Sequence, residues 1–269
     1  MKSYKLFSLF LFSLSITQTV SAAVLIQSQD AQKQITNIYI EHYRARISMP
    51  KNEGFIVMDM KKKSMKAVMH EQKMVMDMSE FIQDTNSKTK ADSRVKSQIK
   101  KIGSGPKIAG YKTQGYVIYG NNKNCGTFYV SANAMSDLGI EKFAVALSNL
   151  DKNMQEKMST ITGMPTAHVL STCDEAERQV SIKFKQIGFP LKTLNKNKQL
   201  ESIVIKLDKN ARLPKNAFTI PANYKVTSPA KMMNEAMQKM KKMQPKMQEM
   251  MKNMAPEIRE MMKQQMKQY

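Results

Sequence analysis

Between residues 43 and 79 the chain alternates apolar and polar side chains with a period of two, and most of the apolar positions are methionine. Tyr43, Ala45, Ile47 and Met49 alternate with Arg44, Arg46 and Ser48. Pro50 to Gly54 makes a turn, Phe55 to Met60 is the next strand, and three lysines, Lys61, Lys62 and Lys63, turn the chain again. Ser64 to His70 follows, and Glu71 and Gln72 lead into Lys73 to Ser79. Such hairpin spacings predict an antiparallel meander in which residues two apart share a face. One face then carries Tyr43, Ala45, Ile47, Met49, Ile56, Met58, Met60, Met65, Met69, Met74, Met76 and Met78. The other carries Arg44, Arg46, Asp59, Lys66, His70, Lys73 and Asp77. A sheet with one greasy and one wet side is expected. Methionine is flexible and specifies packing loosely, so the greasy side reads as an ordinary core or as an adaptable wall for an apolar ligand. On the second reading the ligand-lining positions are Ile47, Met49, Met58, Met60, Met65, Met69, Met74, Met76 and Met78.

Before this sheet stands a leader. Lys2 and Lys5 precede a short apolar run from Leu6 to Ile16, and Val20, Ser21 and Ala22 bring small residues to a cleavage site. The pattern predicts a secretory signal over residues 1–22, cleaved after Ala22 or, alternatively, Ala23, and too short to span a membrane. No cysteine near the cut marks a lipidated N-terminus. A periplasmic protein that is not membrane-spanning is expected. Two cysteines follow, Cys125 and Cys173. In an oxidising compartment an isolated pair without a CxxC spacing reads as one structural disulfide.

The formal charge is +21, and loss of Lys2 and Lys5 with the leader leaves +19. A basic chain attracts acidic partners, here an anionic membrane surface or envelope polymer. Export and the lack of a recognisable motif argue against nucleic acid.

Residues 83–106 are polar and basic and read as a loop or loosely helical insertion. Strands are expected from Tyr116 to Tyr119 and from Gly126 to Ser131, joined by an asparagine-rich turn. Helices are expected from Ala134 to Met158, weakened at Gly139, and from Asp174 to Gln186. Strands from Phe189 and from Leu200 to Leu207, then Phe218, Ile220 and Tyr224, complete a domain over residues 23–227.

The tail, residues 228–269, holds the second methionine population. The chain has 25 methionines, and twelve of them lie between Met232 and Met266. Met233, Met240, Met247, Met254 and Met261 recur every seven residues, so a helix keeps them on one side. Met233, Met237, Met240, Met247, Met251, Met254 and Met261 form the expected partner face. Ser228 and Pro229 suit a helix start, while Pro245 and Pro256 predict a break into three short helices. Met-x-x-Met spacing at Met237–Met240, Met240–Met243, Met247–Met250 and Met251–Met254 also offers soft thioether ligands for Cu(I), without a His or Cys to strengthen the site.

Nothing in the chain assembles catalytic chemistry. His42, His70 and His168 are its only histidines. His70 reads as a solvent-exposed residue at a strand end, and His168, Ser171 and Asp174 are neighbours in sequence without triad geometry. No phosphate-binding glycine loop, HExxH or calcium loop occurs. No enzyme activity, cofactor or resident metal is expected.

The run from Ile35 to Ser79, with IVMDMKKKSMKAV and HEQKMVMDM, resembles a family of exported bacterial proteins known as domain of unknown function 4412. So do Ile108-Ala109-Gly110-Tyr111, the strand from Cys125 to Ser131, the stretch from Cys173 to Glu177, and FTIPANYKV from Phe218. That family is similar in shape to periplasmic lipoprotein-carrier (LolA-like) proteins. The resemblance implies an α+β fold, a curved antiparallel sheet or incomplete barrel packed over helices around an apolar cavity, here with the methionine-rich helical tail added. It brings no activity and no functional residues. Three functions are expected of such a chain. It binds an apolar ligand, lipid or lipidated partner on the methionine face; it binds or buffers Cu(I) through the tail; or it acts as an envelope adaptor or chaperone through the tail helix.

Overall fold

The architecture is that of a computed structural model, which describes residues 23–82, 95–141, 143–144, 171–181 and 184–253. The expected leader, the first half of the basic insertion, His168 and the tail beyond residue 253 lie outside the described residues.

The meander expected from the alternation is present. Strands β1 (Ala23–Asp30), β2 (Ile35–Glu41), β3 (Arg44–Ser48), β4 (Gly54–Asp59), β5 (Ser64–Met69) and β6 (Met74–Asp77) pair in sequence order, all antiparallel. Strand β7 (Ser97–Ser104) pairs with β8 (Gln114–Gly120), β8 with β9 (Lys123–Ser131), β9 with β10 (Phe189–Asn195), and β10 with β11 (Leu200–Ala211). Pairing of β1 with β11 joins the two halves, and the short β12 (Lys225–Thr227) adds to β6 in parallel. Among the described residues this is one curved twelve-stranded sheet with β12 and β7 at its edges, so the barrel is not closed. With its helices it is an α+β fold.

Two segments differ from the sequence reading. A third of the expected insertion is β7, whose exposed Lys100 and Lys101 sit on an edge strand. Lysine is unfavourable for further strand pairing, which suits an edge and masks the strand in the sequence. The helix expected from Ala134 is α1 (Ala132–Leu138), and it stops at Gly139. Gly139 adopts φ 64°, a left-handed cap whose amide bonds back to the carbonyls of Met135 and Ser136. Helical backbone resumes at Glu141, Phe143 and Ala144, and residues 145–170 lie outside the described part.

The inner face of the sheet holds the main core. Ile26, Ile40, Ala45, Met58, Met65, Leu191 and Val204 pack with Met135 and Leu138 of α1, Ile140, Phe143, Phe81, Ile82 and Ile108. Tyr111 closes the loop over this core and bonds Asp137, and burial followed by that carboxylate raises the phenol's pKa. On the other face, α2 (Thr172–Ser181) covers β7, β8 and β9 through Ala176 and Val180 against Ile118, Phe128 and Val130. A Cβ on Gly120 would lie 2.8 Å from the Thr172 carbonyl oxygen and 2.9 Å from the Ala176 Cβ, so this close approach requires glycine. Cys125 of β9 is bonded to Cys173 of α2, as the isolated pair predicts. The short α3 (Phe184–Ile187) follows and leads into β10.

Burial on α2 perturbs Glu177, whose pKa rises to about 7, first by desolvation and then through Glu201 and Asp174. A carboxyl with a folded pKa above its unfolded value contributes stability below the unfolded pKa and loses it as pH rises towards 7. Glu177→Gln is therefore expected to leave stability at pH 4 nearly unchanged and to raise it at pH 8 by roughly 1 kcal/mol, after discounting for solvent screening. Denaturant midpoints at the two pH values measure it.

The outer face of β3 to β6 is not wet throughout. Phe55, Val68 and Val75 are buried there under Ile220 and Tyr224. Residues 212–224 form a strap across this face. The Arg46 guanidinium lies 3.5 Å from the Phe55 ring centre and donates a 2.9 Å bond from Nη1 to the Ala217 carbonyl. Arg44 stacks at 4.3 Å over Phe218. His70, expected in solvent, is half-buried with Nδ1 2.9 Å from the Tyr224 hydroxyl and its ring against Phe55. Arginine covers an aromatic ring with its flat cation, so this polar pattern holds a strap in place. Burial lowers the Arg46 pKa, with Tyr39 opposing. Arg46→Ala removes both the ring contact and the bond to Ala217. It is expected to lower stability by about 1–2 kcal/mol and to speed hydrogen exchange in β12, which the strap delivers to the sheet edge.

Candidate functional site

Register sorts the methionine face into rows. Ile40, Ala45, Met58 and Met65 lie opposite one another across β2 to β5, and all four are buried, Met58 to 1% exposure. The next row runs Ile38, Ile47, Ile56, Ala67 and Met76. Of these only Ala67 is buried; Ile38, Ile47, Ile56 and Met76 are half-buried. The third row includes Gly54, Met69 and Met74, with Met69 and Met74 again half-buried.

The nine expected lining residues therefore divide. Met58 and Met65 are buried within the core cluster. Met60 and Met78 are partly buried against that core, as are Ile47 and Ile56. Met49, Met69, Met74 and Met76 are half-buried and, among the described residues, stand outside the packed cluster. Tyr43 leaves the face altogether, because it sits in the turn between β2 and β3 and is 46% exposed. The alternation identified the face but not how far it is covered, since the cover includes Met135 and Leu138 of α1, far away along the chain.

The half-buried rows make a stepped apolar surface beside the core, and each methylene buried against such a surface is worth about 0.8 kcal/mol. Among the described residues no group of three or more His, Cys, Asp or Glu is arranged to hold a metal ion.

A separate shallow cavity of about 420 Å³ lies where β6 and β12 meet the start of the tail helix, between Asp77, Ser79, Glu80, Thr227, Ser228 and Lys231. Burial raises the Asp77 pKa, but bonds from the Ser79 hydroxyl and amide and the charge of Lys66 outweigh it and hold it below the ordinary value.

The tail helix is α4 (Pro229–Asn253). Ser228 caps it, its hydroxyl accepting from the Lys231 amide at 3.3 Å. The helix continues through Pro245, against the expected break there. A mid-helix proline removes one backbone bond at a cost of about 3 kcal/mol, which a long helix can carry. Of the expected partner face, Met237 is exposed and Met233 half-buried. Met240, Met247 and Met251 are helical positions of α4, and Met254 and Met261 lie outside the described residues.

Comparison with known families matches residues 23–224 to a domain of unknown function, DUF4412. The chain belongs to the DUF4412 family. The family match covers the whole sheet up to Tyr224 and the strap, and it ends before β12 and α4. No curated protein and no solved structure gave a match. In this DUF4412 chain, then, the methionine face belongs to the family domain and the exposed methionines of α4 stand beyond the match.

Proposed function

We propose that the chain is an exported, periplasmic binding protein without catalytic activity, which holds an apolar ligand on the half-buried rows of its inner face. The ligand class is a lipid or the apolar segment of a lipidated or hydrophobic envelope partner. One observation carries this reading. Met69, Met74 and Met76 form with Ile38, Ile47 and Ile56 an apolar surface continuous with the core yet incompletely covered. Methionine adapts to irregular apolar shapes, which suits a ligand recognised by its hydrocarbon and not by a head group.

Titration with a fluorescent long-chain fatty acid tests it. Saturable uptake is expected, reduced roughly tenfold or more by Met76→Asp, because a carboxylate on the wall must be desolvated by the bound chain. Met237→Asp on the exposed tail is expected to leave uptake unchanged. Uptake that is absent, or insensitive to Met76→Asp, rejects the reading.

A further inference from the structure

We propose that α4 is an interfacial helix that lays the protein on an anionic phospholipid surface, methionine stripe against the acyl boundary and lysines against the phosphates. The proposal does not rest on the apolar-ligand reading.

The first observation is exposure. From Lys231 to Lys239 every residue of α4 except Met233 is exposed, and Lys242 and Met243 are exposed as well. Met232, Met237 and Met243 are 40%, 44% and 54% exposed. Most helices gain their stability by burying an apolar face, so exposed methionines along a helix mark a face made for something outside the domain.

The second observation is pattern. At 3.6 residues per turn the eight methionine positions of α4 fall within an arc of roughly 140°. Lysine positions 239 and 246 border one side of that arc, and 241 and 252 border the other. Lysine at the borders is the arrangement of a helix lying in a head-group plane, where long stems let the ammonium reach up to phosphate.

Charge decides the occupant. The segment carries six lysines against two glutamates. A second copy docked stripe to stripe would bring lysine borders against lysine borders, which repel. An anionic bilayer is complementary to both borders at once, each lysine contributing about fivefold to the binding constant. The helix is not apolar enough to cross a membrane. The geometry is thus that of a helix that lies on the surface, rooted at the sheet edge by β12 and the Ser228 cap.

The test is cosedimentation of the chain from Ala23 to Tyr269 with vesicles of phosphatidylcholine alone or of equal parts phosphatidylcholine and phosphatidylglycerol. Binding is expected to the mixed vesicles only, and to be released by high salt. Lys239→Glu with Lys246→Glu, on one border of the stripe, is expected to weaken it more than tenfold. Met237→Gln with Met243→Gln is expected to weaken it at unchanged charge, with Gln keeping the helix propensity. Far-UV circular dichroism confirms that both variants keep the fold. Equal binding to both vesicles, binding to neither, or binding untouched by both double variants overturns the proposal. So does self-association in solution that Met237→Gln with Met243→Gln abolishes while vesicle binding persists, because the stripe would then serve a second copy.

Discussion

Replacing Cys125 and Cys173 together with alanine is expected to lower stability by about 4 kcal/mol, a fall in Tm of roughly 10 °C for a chain of this size. The bond closes a separation of 48 residues, and loop-closure entropy in the unfolded chain accounts for that magnitude. It also fastens α2 to β9, where Cys125 is buried among Phe128, Ala176 and Val180. Loss of the bond is therefore expected to act locally as well as globally. Amides of α2 exchange faster than those of β2 to β5, and the Glu177 pKa falls towards its ordinary value as α2 loosens. Thermal unfolding of the oxidised wild type, the reduced wild type and the double alanine variant measures the first effect. A drop below about 1 kcal/mol would show that α2 is held by its apolar face alone.

The second large effect separates the two kinds of methionine on the inner face. Met58→Ala is expected to cost about 2–5 kcal/mol, because the side chain is almost wholly enclosed and its removal leaves a cavity between β4 and the residues above it. Met74→Ala and Met69→Ala, at half-buried positions, are expected to cost less than about 1 kcal/mol each. Ligand uptake is expected to respond in the opposite order, with Met74→Ala weakening it and Met58→Ala leaving the folded fraction able to bind. Denaturant midpoints and the fatty-acid titration on the same three variants resolve the two orders. Equal destabilisation at all three positions would mean that the face is uniformly core.

The meander β3 to β6 was legible because its signal is local. A period of two over Ala45, Ile47, Ile56, Met58 and Met65 survives as register in the sheet, and the lysine and proline turns fall where they were expected. The disulfide was legible because two cysteines allow one intramolecular pairing. What the chain concealed depends on contacts distant in sequence. Arg44 and Arg46 read as a wet face until Phe218 and the Ala217 carbonyl arrive from the strap, some 170 residues later in the chain. β12 has three residues and pairs in parallel, too short for any periodicity. β7 hides behind lysines. At the site, alternation named the face but could not separate Met58 from Met76, since the core cluster that takes in Met58 also draws on Met135, Leu138, Ile140 and Phe143, distant in the chain.

The most direct measurement is the native mass spectrum of the chain from Ala23 to Tyr269, purified without detergent. The account predicts an adduct with the mass of a lipid or acyl chain, retained in Met237→Asp and lost in Met76→Asp. A clean apo mass for the unsubstituted chain, or an adduct that Met76→Asp retains, would contradict it.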